Sequence, residues 1–150
     1  FSLWSYVDHW GDWSMPLGRV PASLLDVAHK NGVAVSSVAG VAWGGLPSEY
    51  QRMFAGLAGQ GMAQKAANFL SYYGIDGLGY NSEFTCTPTD VANVRNFHVA
   101  LNKEMASKSP IFENMWYDGT TDTGTRAFDN GLGGHNRRNF GKKGEEAASL

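Results

Sequence analysis

The chain has one cysteine, Cys86, among its 150 residues. That excludes an internal disulfide and any zinc site built from several thiolates. Its four histidines are scattered without metal-ligand spacing. Charge is sparse too: 17% of residues are charged and the net charge is −2, which gives no electrostatic case for binding nucleic acid or an anionic membrane. No apolar run approaches the roughly 20 residues needed to span a bilayer. The chain opens Phe1-Ser2-Leu3-Trp4 with neither an initiator methionine nor a signal-peptide pattern. We therefore expect its true start to lie upstream.

What is present points to a packed domain. Hydrophobic residues make up 43% of the chain, enough for a real core and unlike a disordered segment. Five Trp, six Tyr and eight Phe accompany nineteen Gly. Aromatic richness at low charge suits a carbohydrate surface, where sugar C–H faces stack on rings, and equally suits an ordinary core.

Along the chain, strands and helices alternate. Ser2 to His9 is short, apolar and aromatic and reads as a strand, followed by a loop over residues 11–18. A helix follows Pro21, with Leu24, Leu25 and Ala28 on one face and Gly32 as its stop. Val33 to Ala39 reads as a second strand and Gly40 to Pro47 as a loop carrying Trp43. Ser48 looks like the cap of a helix over 49–54. Beyond Gly59-Gln60-Gly61, the spacing of Met62, Ala66, Phe69, Leu70 and Tyr73 predicts a helix that ends at Gly74. Ile75 to Glu83 reads as a third strand. Thr87-Pro88-Thr89-Asp90 looks like a helix start, with Val91, Val94, Phe97, Leu101 and Met105 on one face and Ser109-Pro110 as the stop. Asn114 to Tyr117 reads as a fourth strand, and residues 135–140 as a short polar helix. Four such units imply parallel strands with helical crossovers. No phosphate-cradling glycine motif follows the first strand, which disfavours a nucleotide-binding sheet. The expected fold is α/β, a (β/α)₈ TIM barrel of which the chain covers roughly four consecutive units. A whole barrel takes about 250 residues, so residues 1–150 read as part of a single catalytic barrel, lacking its first strand or strands and its C-terminal ones.

The informative stretch is Tyr73 to Glu83. If the strand runs through it, Asn81 and Glu83 share a face, roughly 6–7 Å apart along the chain, with Gly77 and Gly79 leaving space beneath. An amide and a carboxyl would then meet where a barrel strand ends, the usual place for active sites in this architecture. By spacing alone, a solvent-facing Asn and Glu opening a loop is the favoured reading. A glycosidase ordinarily uses two carboxyl groups; here Asn81 stands in place of the second. That suits a substrate that brings its own nucleophile: a 2-acetamido sugar can attack its anomeric carbon with the acetamide oxygen, at high effective molarity. Asn81 would orient the acetamide, and Glu83 would protonate the leaving sugar and then deprotonate the incoming water.

Tyr73 to Glu83 resembles the signature of glycoside hydrolase family 85, the endo-β-N-acetylglucosaminidases, a YGFDGW-type strand ending in Asn-x-Glu. Asp26 to Val33 is similar to the family's AAHRNGV segment, Trp43 to a Trp after its second-strand loop, and Met115-Trp116-Tyr117-Asp118 to its WYDS strand. Phe128 to Leu132 and Asn136 to Phe140 follow the order of its WQN…N…FF stretch. The resemblance runs from Trp4 to Phe140. It implies a barrel that hydrolyses the bond between the two core N-acetylglucosamines of N-linked glycans through an oxazoline, without a cofactor and without a metal. It also implies Asn81 and Glu83 as the catalytic pair and Tyr117 as a hydroxyl beside the reacting acetamide. Trp43 and Phe128 would line the sugar groove and Asp118 would position Tyr117. The implied partner is an N-glycan or glycoprotein. Bacterial members act outside the cell and eukaryotic relatives in the cytosol; we expect an extracellular or cell-surface bacterial protein, or a cytoplasmic one if eukaryotic. Oligomeric state is not legible.

Two departures stand out. Ala42 occupies a position where the family has Glu, and Phe128 replaces a Trp, so glycan preference is left open. A chitinase-like hydrolase of family 18 shares the Asp-Gly…Glu pattern but carries Asp two residues before that Glu, where this chain has Asn81. A non-catalytic glycan-binding barrel is the other alternative. Asp8-His9, at the end of the first strand, would either touch substrate or cap a loop. Asp76 reads as ordering its turn and the barrel floor, His98 as structural, and Arg137-Arg138 and Lys142-Lys143 as a solvated face. Cys86 has no His partner at a spacing that would support a thiol nucleophile.

Overall fold

A computed structural model describes residues 3–12, 19–40, 46–81 and 85–116. Its elements alternate: a 3₁₀ turn at Trp4–Tyr6, then β1 (His9–Asp12), α1 (Ala22–Lys30), β2 (Ala34–Gly40), α2 (Pro47–Leu57), α3 (Met62–Tyr73), β3 (Gly77–Asn81), α4 (Pro88–Met105) and β4 (Glu113–Trp116). The strands form one sheet in the order β1-β2-β3-β4, every neighbouring pair parallel. Sequential parallel strands joined by helices are the repeating unit of a TIM barrel, as expected from the sequence.

Local chemistry explains most element boundaries. Gly74, at φ 69°, closes α3 in the left-handed conformation, and its N–H reaches back to the carbonyls of Leu70 and Ser71. Ile75 N–H then bonds Leu70 O at 2.9 Å, a glycine-based C-terminal cap. α4 begins as its sequence suggests: Thr87 Oγ1 accepts from Asp90 N–H at 3.2 Å while the Asp90 carboxylate accepts from Thr87 N–H at 2.9 Å. This reciprocal pair satisfies two donors that the first turn would otherwise orphan. α2 differs from expectation, since Pro47 is its first residue and Glu49 accepts from Leu46 N–H at 2.7 Å. Leu46, not Ser48, precedes the helix, because proline at the first helical position needs no N–H partner.

The first strand also needs correction. Trp4 lies in a 3₁₀ turn and is buried, with its ring 6.0 Å from that of Trp10, and β1 starts only at His9. An apolar aromatic run is what a strand and a buried turn both require, so composition could not separate them. β3 starts at Gly77, two residues after Ile75, and β4 at Glu113, one before Asn114; Glu83 and Tyr117 lie outside the described residues. The helix expected over 135–140 lies outside the described residues.

The two faces of the sheet differ. Register puts Trp10, Val35, Leu78 and Asn114 on one face, where Trp10, Val35 and Leu78 join a core with Leu25 and Ala28 of α1, Leu70 of α3 and Phe97 and Leu101 of α4. Leu70 and Leu101 are fully buried, each stabilising the fold by about 2 kcal/mol relative to exposure. A second cluster joins Phe54 of α2 to Val91 and Val94 of α4. The opposite face carries His9, Gly11, Ser36, Val38, Gly77, Gly79 and Glu113, and no described helix covers it. In barrel geometry this is the interior face. Among the described residues no helix is long and apolar enough to cross a membrane.

Candidate active site

Asn81 is the last residue of β3 and pairs with Gly40, the last residue of β2. Both therefore stand at the C-terminal end of the sheet, in the same strand pair whose Gly77 and Gly79 lie on the interior face. The interior beneath it is built from glycine and small residues for a steric reason. A Cβ on Gly79 would come within 3.0 Å of Val38 Cγ2, and one on Gly77 within 2.9 Å of both Ser36 Cβ and the Glu113 carbonyl oxygen. The glycines thus let Val38 and Ser36, both buried, lie across β3, which fills the interior in layers below Asn81.

Glu83, Tyr117, Asp118, Trp43 and Phe128 lie outside the described residues, as does Ala42. The chain positions of four of them are nevertheless fixed: Glu83 lies two residues beyond the end of β3, Tyr117 and Asp118 follow β4 directly, and Trp43 follows β2. These are segments leaving the C-terminal ends of three adjacent strands.

His9 behaves differently from its sequence-based placement. It begins β1 instead of ending it, pairs with Ala34 at the start of β2, and packs its Cε1 3.2 Å from the Cβ position of Gly77. Gly77 precedes Asn81 by four residues, about 13 Å of strand, so His9 sits at the floor, away from the Asn81 end. There His9 Nδ1 lies 3.1 Å from Glu113 Oε2. This contact ties β1 to β4 across the bare backbone of Gly77. His9 Nε2 and Ser36 Oγ are buried in the same layer without a hydrogen-bond partner among the described residues.

Asp76 is at the floor as well, just before β3. Its Oδ2 accepts from Val35 N–H at 2.9 Å and lies 2.7 Å from His29 Nε2 of α1, while its backbone N–H donates to Val35 O and its carbonyl accepts from Glu113 N–H. The carboxylate is committed to joining α1, β2 and β3, in agreement with the role its sequence position suggested. Neither the His9–Glu113 contact nor the His29–Asp76 bond was foreseen from sequence.

Two further groups sit on the helix side. His98 of α4 is fully buried against β4; burial pushes its imidazole down to about 4, opposed in part by the neighbouring Asn114 side chain. Cys86 is pushed up to about 12 by burial and by the nearby Asp90 carboxylate, so its thiol stays protonated. Among the described residues no three His, Cys, Asp or Glu side chains converge on a metal-sized site.

Comparison with known proteins agrees with this architecture. A chitinase of Rhizomucor miehei has a similar structure, with a TM-score of 0.54 and 20% sequence identity over 71% of this chain and 40% of that one. The chain thus spans less than half the length of that protein, and identity this low speaks for fold alone. A search of curated proteins returns no match. The family model for glycosyl hydrolase family 85 matches residues 1–146, nearly the whole sequence. The chain belongs to glycosyl hydrolase family 85.

Proposed function

We propose that this chain is part of the catalytic barrel of an endo-β-N-acetylglucosaminidase, which cuts N-linked glycans between the two core N-acetylglucosamines. The observation that carries the reading is the position of Asn81. The chain belongs to family 85, and residue 81 is the last of strand β3 and two residues before Glu83, which supports the reading. Glu83 acts as general acid towards the leaving sugar and then as general base towards water. Asn81 holds the 2-acetamido group so that its oxygen reaches the anomeric carbon, and the Tyr117 hydroxyl supports that oxygen as the oxazoline forms. No second carboxylate is needed, because the substrate supplies the nucleophile.

In this reading the floor carboxylates take no part in the chemistry. Asp76 and Glu113 are engaged with His29 and His9, at the end of the sheet away from Asn81. Trp43, Phe128 and Asp118 shape the sugar groove. The test is product identity. Full-length protein incubated with an N-glycosylated protein should leave one N-acetylglucosamine on each asparagine, read as the residual mass on the glycopeptide. Intact glycans with retained binding would favour a glycan-binding barrel, and release of chitin oligomers alone would favour chitinase-like specificity.

A further inference from the structure

Two polar atoms at the floor of the sheet's interior face lack partners. Ser36 Oγ and His9 Nε2 are both buried and make no hydrogen bond among the described residues. Ser36 is 0% exposed, so bulk water does not satisfy its hydroxyl. Burying either group unpaired is costly, because neither recovers the hydrogen bond it gave up on leaving water.

Each atom is what the other lacks. His9 Nδ1 lies 3.1 Å from Glu113 Oε2. That carboxylate places a ring proton on Nδ1 and leaves Nε2 of the neutral imidazole as a bare acceptor. Ser36 Oγ–H is a donor. The two side chains also meet over the same bare backbone: a Cβ on Gly77 would lie 2.9 Å from Ser36 Cβ and 3.2 Å from His9 Cε1. Oγ and Nε2 are each one bond beyond those atoms, so the movement that joins them is a turn of the Ser36 hydroxyl between staggered positions. Gly11 leaves room for it, since a Cβ there would have only Ser36 Oγ within 4 Å. A charged ring is served as well, because a hydroxyl can accept from Nε2–H.

We propose that Ser36, His9 and Glu113 form one hydrogen-bonded chain, a clasp that ties β2 and β1 to β4 across the bare backbone of β3. β1 and β4 are not neighbours in the sheet. In a flat sheet they would stand about 14 Å apart, too far for these two side chains to meet. The clasp therefore holds the curvature that turns this face inward. Its order of atoms is that of a hydrolase triad, but the Ser36 hydroxyl is sealed from any substrate and its role is conformational. The clasp is separate from the reaction proposed for Asn81 and Glu83 and does not depend on it.

The experiment is a double-mutant cycle on full-length protein, read as melting temperature. Ser36→Ala alone should lower it by roughly 2–4 °C, because His9 Nε2 is then buried without a donor. His9→Phe keeps a ring over Gly77 but removes both nitrogens. In that background Ser36→Ala should raise the melting temperature or leave it unchanged, since the hydroxyl it removes has no partner. A rise on Ser36→Ala alone, or an equal fall in both backgrounds, would overturn the proposal. Should His9→Phe not fold, nitrogen NMR spectra of isotope-labelled histidine in wild-type and Ser36→Ala protein decide the question. One histidine should carry its proton on Nδ1 and show an Nε2 resonance that moves on Ser36→Ala. Histidine signals untouched by the substitution would mean that no such chain forms.

Discussion

The two ends of the β-sheet use the same kinds of residue for opposite purposes. At the floor, Asp76 and Glu113 are each held by a histidine from another element, His29 and His9. At the other end, Asn81 closes β3 above layers built around Gly77 and Gly79, and residues that resemble catalytic ones follow it in sequence. A carboxylate already engaged by neighbouring donors strengthens the fold and keeps less acceptor capacity for substrate. In barrels generally, chemistry belongs to the end where strands stop and loops begin, which is where the proposed reading puts it. Asp76 and Glu83 lie in one short segment of sequence, and the proposed reading gives them different roles, Asp76 in the fold and Glu83 in the chemistry.

If the buried polar groups below the rim serve stability, disturbing them should move melting behaviour and leave turnover per folded molecule alone. The largest effect is expected from His98. Its imidazole is held neutral by burial, at about 4 against 6.5 for the free side chain. The unfolded chain binds the extra proton first as pH falls, so stability should drop progressively from about pH 6.5 through pH 4. The loss should reach about 3 kcal/mol. Denaturant melts across that range measure it, and the slope should flatten in His98→Gln. A slope unchanged by that substitution would assign the acid sensitivity to other groups.

Asp76→Ala should come next. It strands the Val35 N–H and frees His29, costing about 2 kcal/mol, seen as a lower melting temperature. Glycan release per folded molecule should stay within about twofold of wild type. A large fall in kcat without loss of stability would place Asp76 in the chemistry and erase the contrast between the two ends. The smallest effect belongs to Glu113→Gln. That side chain is 47% exposed, and contacts of this kind contribute under about 1 kcal/mol. A greater loss would mean that the His9–Glu113 contact across Gly77 holds β1 and β4 in place.

Much of the fold was legible because it is written locally. Gly74 as the stop of α3 and Thr87 with Asp90 as the start of α4 are decided by backbone chemistry within a few residues. So is the parity of Gly77 and Gly79. The segment from Leu3 to His9 was not legible: Trp4 is apolar whether it lies in a strand or packs from a 3₁₀ turn onto Trp10. The floor contacts escaped for another reason. His9 meets Glu113, and His29 meets Asp76, only after the strands are paired, and single-chain spacing carries no trace of such pairs. The packing of Ser36 and Val38 over the two glycines is equally non-local. At the site itself, residue types and family resemblance are what propose Asn81 and Glu83, while the position of His9 had to come from the sheet register.

The most direct test of the central claim is the rate of glycan release by Glu83→Gln full-length protein beside wild type, with melting temperature as the control. Loss of the acid–base group should slow release by roughly 10²- to 10⁴-fold at unchanged stability. Release at the wild-type rate would contradict the account and move the catalytic acid away from the end of β3.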